Sequence, residues 1–366
     1  APMETMAWKS TTTRMKYRSA IRRIKEQIES GDTYQVNYTF MLESHEPSDA
    51  EGHFFALYAA QATPYAMLIS TPAFHVASLS PELFFERHGD AIRCEPMKGT
   101  CPRGPHPDLD AARGCELAVS SKNRAENVMI VDMIRNDLGR IAIPGSIRTD
   151  ELFKVTAWPT LWQMTSTVSA RTTASMRQLF TALFPCASIT GAPKIRTSAI
   201  IAELEHEPRG IYTGAIGWSG PDQQCRFSVA IRTAVTDRTT RRARYGVGSG
   251  IVWDSDPDDE YRECRLKAQV LSKPATDYRL LETLRWDAEG GYRFLGGHLD
   301  RMEKSAAWLG IRMNRADLAS RLHDGAAQFR GPFRRVRILL SRDGRIEIQD
   351  RPLDQPGHFA GPEGAP

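Results

Sequence analysis

Strand-like and helix-like segments arrive in runs along this chain, and that order constrains its fold more than any single motif does. "YRSAIRRIKEQIESGD" (17–32) sets Ile21, Ile24 and Ile28 on one helical face and ends at a glycine stop. "TYQVNYTFML", "YAMLIS", "AFHVASL" and "LFFERHGDAIRCEP" then read as strands, the last a hairpin turning at "HGD". A helical region follows from about Asp108 to Leu138. Next come two strands, "GSIRTDELFKVTAW" and "TLWQMTSTVSAR", then two helices, "TASMRQLFTALF" and the one opened by "SITGAPK". "IYTGAIGWSG", "CRFSVAIRTAVT" and "ARYGVGSGIVWD" read as strands and "PDDEYRECRLKAQVLS" as a helix. Strict strand–helix alternation is missing, so the pattern predicts an α+β fold of large, mostly antiparallel sheets with outer helices.

A composition shift at "SKPATD" (272–277) predicts a boundary. The expected organisation is a loose polar arm over 1–16, a large domain over 17–275, a small α+β segment over 276–350, and a Pro- and Gly-rich disordered tail over 351–366. The small segment holds a helix, "HLDRMEKSAAWLGI", and a hairpin, "RRVRILLSRDGRIEIQ". A net charge of +4 over 366 residues argues against a nucleic-acid binder. Six scattered cysteines (94, 101, 115, 186, 225, 264) form no C-x-x-C pair, which argues against a zinc site or disulfide framework and fits a reducing cytoplasm. No apolar run approaches the roughly 20 residues that span a bilayer. The chain starts at Ala1 rather than Met, as a processed chain or a piece of a longer one does.

Several side chains carry possible chemistry. In "AENVMIVDMIRNDLGR", positions 126, 129, 130, 133 and 134 share a face, so Glu126 lies on the apolar side of its helix. It is either a carboxylate needing a cation or a first-turn glutamate favoured by the helix dipole. Glu260 and Glu263 share a face in "DDEYRECRLKAQVL". Without neighbouring His or Cys they suit a hard cation such as Mg²⁺, or simply an acidic helix start. "RFSVAIRTAV" alternates, with Phe227, Val229 and Ile231 facing one way and Ser228, Ala230 and Arg232 the other. Arg232 either floors a cleft for a carboxylate or sits on an exposed strand. "YGVGSGIV" offers glycines that let backbone N–H groups approach an anion, or that serve packing alone. Together these read as a site for a small anionic molecule held by Mg²⁺ and arginine.

In this order, "GDTYQVNYT", "SLSPELFF", "EPMKGTCPRG", "RAENVMIVDMIRNDLGR", "LFPCASITGAPK", "IYTGAIGW", "VAIRTAV" and "GSGIVWDSDPDDEYRE" resemble the chorismate-utilising enzymes over roughly residues 17–272. The resemblance implies an α+β sandwich with the active site between its sheets. It implies that Glu126 and Glu263 are Mg²⁺ ligands, with Glu260 acting through metal-bound water. Arg232 and Tyr212 would hold the enolpyruvyl carboxylate of chorismate. The backbone at Thr190–Gly191 and at Gly248, Ser249 and Gly250 would close over the substrate.

Three positions sort the branches of the family. Gln35 stands where the water-using branches carry a lysine base. Lys98 stands where anthranilate synthases carry alanine, and Gln163 where they carry a histidine linked to pyruvate loss. All three point to the aminodeoxychorismate synthase component I branch, of p-aminobenzoate and folate formation. The alternatives are anthranilate synthase component I and a non-catalytic chorismate-binding subunit. In the favoured reading Lys98 attacks C2 of chorismate, Glu82 assists the departing C4 hydroxyl, and ammonia from a glutamine amidotransferase partner adds at C4. A free lysine, with a pKa of about 10.4, keeps only about one amine in 2,500 neutral at pH 7. Lys98 must therefore be desolvated or placed near other cations.

The resemblance also implies features outside this site. Family members carry a region before the helix that begins near Tyr17, contributing strands and much of a regulatory tryptophan pocket. Here only Pro64 and Tyr65 match part of that pocket, so either a reduced fold or a fragment is expected. "YRLLETLRWDAEGGYRFLGGHLDRMEKSAAWLGI" resembles the first domain of aminodeoxychorismate lyase, a pyridoxal-phosphate enzyme. The Schiff-base lysine of that enzyme lies in a later domain, so no lyase activity is expected of this chain.

Overall fold

The computed structural model describes residues 6–45, 47, 49–158, 161–271 and 278–353. These fall into two compact units, one within Ala1–Arg103 and Ala112–Ala275, the other within Gly104–Ala111 and Thr276–Pro366. The predicted boundary at 272–277, residues 1–5 of the arm and the tail from 354 onward lie outside the described residues.

The first unit is a sandwich of two antiparallel sheets, with strands and helices numbered along the chain. One sheet runs β1 (Lys9–Ser10), β2 (Gln35–His45), β14 (Arg242–Ile251), β13 (Thr233–Asp237), β4 (Phe74–Ser80), β3 (Tyr65–Ser70), with β10 (Gly191–Ala192) also on β2. The other runs β11 (Ala215–Ser219), β12 (Cys225–Val229), β5 (Leu83–His88), β6 (Ala91–Glu95), β9 (Leu161–Arg171), β7 (Met97–Pro102), with β8 (Arg148–Ala157) on β9. The α+β architecture expected from the run order is what forms.

Helices cover the outer face of each sheet. On the first, α1 (Arg14–Glu29) buries Tyr17, Ile21 and Ile24 against Val36, Tyr38, Phe40 and Leu42 of β2 and Val247 and Ile251 of β14. Full burial of each isoleucine contributes about 2 kcal/mol. α6 (Lys194–Leu204) and α7 (Pro257–Lys267) complete that layer through Ile200, Leu204 and Cys264. On the second sheet, α4 (Ser121–Gly139) and α5 (Met176–Leu183) pack Ile130, Ile134, Leu179 and Leu183 onto Phe85, Ile92 and Val168. Strand residues alternate sides. Gln35, Asn37 and Thr39 of β2 therefore face the interior between the sheets, and all three are buried.

Four local expectations change. The helical region near 108–138 is two helices, α3 (Pro107–Val119) and α4, parted at Ser120, whose hydroxyl caps α4 at Asn123 N–H. Residues 9–10 of the arm pair with β2 at Glu43 and Leu42. The sequence pattern omits α2 (Ala50–Gln61), whose apolar residues lie on no single face. "CRFSVAIRTAVT" is not one strand: β12 belongs to the second sheet and β13 to the first. The chain crosses between them at Ala230–Arg232, where Arg232 takes a left-handed φ of 50°. Phe227, Val229 and Ile231 still pack into one core cluster and Ala230 into another, so the expected alternation runs through Ile231 and is interrupted by the left-handed turn at Arg232, where the chain changes sheets.

The second unit has its own sheet, β16 (Gly291–Tyr292), β15 (Arg279–Asp287), β17 (Phe333–Ser341) and β18 (Ile346–Pro352), beneath α8 (Leu295–Leu309) and α9 (Arg315–Ala326). Leu284, Leu299, Met302, Leu318, Leu322, Val336, Ile338 and Leu340 form its core. Buried Glu282 accepts hydrogen bonds from Arg301 and pairs with His298 Nδ1 at 2.7 Å, tying β15 to α8. No described helix is long and apolar enough to cross a membrane.

Candidate active site

Lys98 lies on β7, where the register with β9 shifts between Met97 and Thr100. Gly99 takes a φ of 95° there, and a β-carbon on it would come within 3.2 Å of Asn123 on α4. This bulge turns Lys98 out of the normal alternation and into the space between the sheets. Asn127 Nδ2 donates to the Lys98 carbonyl at 3.5 Å, and Ser166 in turn donates to Asn127 Oδ1 at 2.5 Å. The opposite wall is β14. Gly246, Gly248 and Gly250 share its inner face, and β-carbons there would strike the Tyr212 ring at 2.1 Å, Thr39 Cγ2 at 2.6 Å and Lys98 Nζ at 2.8 Å. The Gly250 position would also come 3.0 Å from Gln35 Nε2. Lys98, Gln35 and Gly250, far apart in sequence, thus converge at one point.

Burial pulls the Lys98 pKa down, and the ammonium of Lys267 adds to that effect. Glu126, Glu82 and Glu263 oppose it, and the net direction is down. Glu82, in the turn from β4 to β5, is 2% exposed. Burial lifts its carboxyl to about 7, against the Ser188 hydroxyl, the Lys98 ammonium and the Met97 N–H, which favour the charged form. Glu82 Oε1, both amide atoms of Gln35 and Gln163 Oε1 are buried without hydrogen-bond partners. Orphaned polar atoms cost free energy unless something fills the space they face. Those of Gln35 and Glu82, close to the Lys98 amine, are what a polar ligand site requires.

Arg232 is half-buried and forms no ion pair among the described residues. Burial draws its pKa down, with Tyr245 working the other way. Its guanidinium has the charge and the fork to take a carboxylate. Tyr212, also buried, is lifted by desolvation. Thr190 accepts from Asn37 N–H at 2.9 Å through its carbonyl, while its hydroxyl donates to Cys186 O at 2.8 Å. Gly191 has a φ of 130°, and a β-carbon would fall 2.0 Å from Gln35 O, so only glycine allows β10 to pair this closely with β2. Arg209 donates to Ile189 O at 2.9 Å and Asn37 O at 2.6 Å while paired with Glu205, clamping this turn to β2.

On α7, Glu263 pairs with Lys267 at 2.7 Å, and Lys267 Nζ also donates to Gly248 O at 3.0 Å. Burial would raise the Glu263 pKa, but Lys267, Lys98 and Lys122 together hold it below its usual range. Glu260 accepts from Ser255 at 2.7 Å. Glu126 is half-buried on α4, within electrostatic reach of Lys98. Among the described residues no three acidic, His or Cys side chains gather closely enough to hold a metal ion alone. The donor chemistry still fits Mg²⁺, which takes one or two carboxylates plus oxygens from a ligand. Glu263 is charged and already faces a cation.

Ser249, expected to contribute its backbone, and Tyr65, expected in a separate pocket, have side chains engaged by other partners. The Ser249 hydroxyl hydrogen-bonds Tyr17 at 2.8 Å beneath the sheet, on the opposite side of β14 from Gly248 and Gly250, so only its backbone can border the cleft. Tyr65 on β3 donates to Glu95 Oε2 at 3.1 Å, and Pro64 beside it is exposed. A cleft of about 610 Å³ lined by Arg14, Tyr261, Arg262, Glu263, Arg265 and Leu266 meets the site only at Glu263. Sequence reading misses Asn127, Arg209 and Lys267, whereas Gly246 belongs to the glycine-spaced "YGVGSGIV" stretch. Of the three missed, only Lys267 left a visible signal, four residues after Glu263 on the same helix face.

The chorismate binding enzyme family model matches residues 1–273, and the amino-transferase class IV model matches residues 279–354. An aminodeoxychorismate synthase from Streptomyces pristinaespiralis is 42% identical over 258 residues, 70% of this chain and 36% of that one. Aminodeoxychorismate synthase component 1 from Salmonella typhimurium is 39% identical over 272 residues, 74% of this chain and 60% of that one. An anthranilate synthase component 1 from Haloarcula marismortui is 38% identical, covering 74% and 56%. The chain thus spans from about a third to three fifths of the length of these relatives. The crystal structure of anthranilate synthase component I from Streptococcus pneumoniae superposes with a TM-score of 0.68 at 26% identity, covering 74% of this chain and 60% of that one. The menaquinone-specific isochorismate synthase of Escherichia coli shares the fold, at 22% identity and a TM-score of 0.68, covering 74% and 64%. A glycine-faced strand set against an inward lysine is thus part of a match running through the whole first unit, and the chain belongs to the family of chorismate-binding enzymes.

Proposed function

We propose that the chain aminates chorismate at C4 with ammonia to give 4-amino-4-deoxychorismate, through a covalent bond to Lys98. The observation that carries this reading is the Lys98 amine: turned into the cleft, desolvated, and set against Gly250 and Gln35. The neutral amine attacks C2. The C1–C2 π electrons move to C1–C6, those of C5–C6 move to C4–C5, and the C4 hydroxyl departs as water with the proton of Glu82. Ammonia then adds at C4, the π electrons return, and the Lys98–C2 bond breaks. The proton gained with ammonia passes to Glu82. A carboxyl near 7 can both give and take that proton at neutrality, and while protonated it does not hold Lys98 in its charged form.

Arg232 and Tyr212 orient the enolpyruvyl carboxylate, and the backbone at Gly248–Gly250 and Thr190–Gly191 borders the ring. Glu126 and Glu263 would hold Mg²⁺, with Glu260 through water; when bound, the ion supplies positive charge for the ring carboxylate. The "component 1" in relatives' names supports a separate amidotransferase as the ammonia source. Anthranilate synthases also stand among the relatives, and Gln163, without the acid–base capacity of a histidine, favours a product that keeps its enolpyruvyl group.

The test is incubation with chorismate, Mg²⁺ and ammonium, with products identified by mass. Aminodeoxychorismate supports the reading, anthranilate supports the second, and unchanged chorismate leaves a binding subunit. Intact-mass analysis of quenched enzyme should find an adduct on Lys98. Equal turnover with and without Mg²⁺ would count against the metal.

A further inference from the structure

Lys267 touches no reacting atom in the chemistry above, yet its ammonium stands against the carboxylate that the Mg²⁺ reading needs. Its Nζ is 2.7 Å from Glu263 Oε1 and 3.0 Å from Gly248 O. Magnesium binds a carboxylate oxygen at about 2.0–2.1 Å. An ammonium hydrogen-bonded to that same oxygen would lie within a few ångströms of the ion, where two cations repel strongly. Both cannot sit on Oε1 in this geometry, and an ion on Oε2 would still meet the repulsion of the ammonium.

We infer that Lys267 is an internal counter-ion that stands in for the divalent cation on Glu263 and must swing aside before the ion binds. This rests on the Mg²⁺ reading and deepens it. Three observations support the exchange. The two side chains are partly exposed, 48% for Glu263 and 39% for Lys267, so an ion can reach one and the other has room to move. The lysine is anchored a second time at the Gly248 carbonyl, so losing Glu263 does not leave its ammonium without an acceptor. The pair is four residues apart on one helix, so the exchange needs side-chain torsions and no backbone movement. In the metal-free enzyme the arrangement keeps Glu263 paired with a cation. It also weakens the ion's affinity until a substrate carboxylate adds further ligands.

The test uses the full chain without chorismate. Mn²⁺ binding is followed by the spin-resonance signal of the free ion, and Mg²⁺ binding by calorimetry. Lys267→Gln and Lys267→Met are expected to bind either ion about tenfold or more tightly than wild type. Lys267→Arg, which keeps the charge, should stay as weak as wild type. Without metal the neutral variants should melt earlier, and Mg²⁺ should raise their Tm more than it raises that of wild type. In a Glu263→Gln background, Lys267→Met should no longer change ion affinity. If the neutral variants bind the ion equally or more weakly, Lys267 serves only to pin Gly248 and the inference is overturned. If no form binds Mn²⁺ even with chorismate present, the Mg²⁺ reading fails with it. Tight ion binding by wild type, unchanged in the variants, overturns the exchange alone.

Discussion

The Nζ of Lys98, on one sheet, lies 2.8 Å from where a β-carbon of Gly250, on the other, would sit. The amine therefore reaches across the whole interior of the sandwich, and the absence of one methyl group makes room for it.

Gly250→Ala tests that relationship. Gly250 has no left-handed φ, so alanine meets no backbone strain and the fold should survive. The methyl would push aside Lys98 and Gln35, and misplacing a reacting group by about 1 Å costs on the order of a hundredfold. Steady-state kinetics should show kcat/KM falling about ten- to a hundredfold, with circular dichroism unchanged. Wild-type turnover would refute the convergence.

Glu82 predicts a pH dependence of stability. Its folded pKa, about 7, is raised above the ordinary value of 4.5, so the folded state holds a proton that the unfolded state gives up. That contribution is fully present below pH 4.5 and lost as pH rises through 7. Between pH 5 and 8, wild type should lose up to about 3 kcal/mol relative to Glu82→Gln, measured by urea unfolding at each pH. Parallel curves for the two proteins would mean that the carboxyl titrates normally.

Lys194 of α6 and Asp137 of α4 form a 2.6 Å pair, 18% and 12% exposed. Burial raises the Asp137 pKa against the pull of Lys194. Lys194→Met should destabilise by about 3–5 kcal/mol, because it strands a buried carboxylate. Adding Asp137→Leu should recover most of that loss, a non-additivity that a double-mutant cycle reads directly.

Arg209 holds the turn before Gly191 through the carbonyls of Ile189 and Asn37 while paired with Glu205. Lysine keeps the charge but cannot present the planar fork. Arg209→Lys should cost about 2 kcal/mol in stability and raise KM for chorismate several-fold. An unchanged KM with lowered stability would make the clamp purely structural.

Much of this fold was legible because its signals are local. The Ile21–Ile24 face of α1, the hairpin turning at Gly89 and the glycine-spaced strand β14 each follow from residues a few positions apart. α2 was not legible, because its apolar residues mark no single face. The division of "CRFSVAIRTAVT" between two sheets was hidden for a different reason. Its alternation is unbroken in sequence, and only the partners available to Cys225–Val229 and to Thr233–Asp237 force the left-handed turn at Arg232.

The sequence by itself determined which side chains are available: an amine at Lys98, carboxyls at 82, 126, 260 and 263, an arginine at 232, and glycines wherever close approach is required. Tertiary structure alone decided what state those groups are in and which of them meet. Desolvation and field strength depend on neighbours that long-range packing supplies. The lowered amine of Lys98, the raised carboxyl of Glu82, the outward turn of Ser249 and the grip of Lys267 on Glu263 exist only once the sheets close over one another.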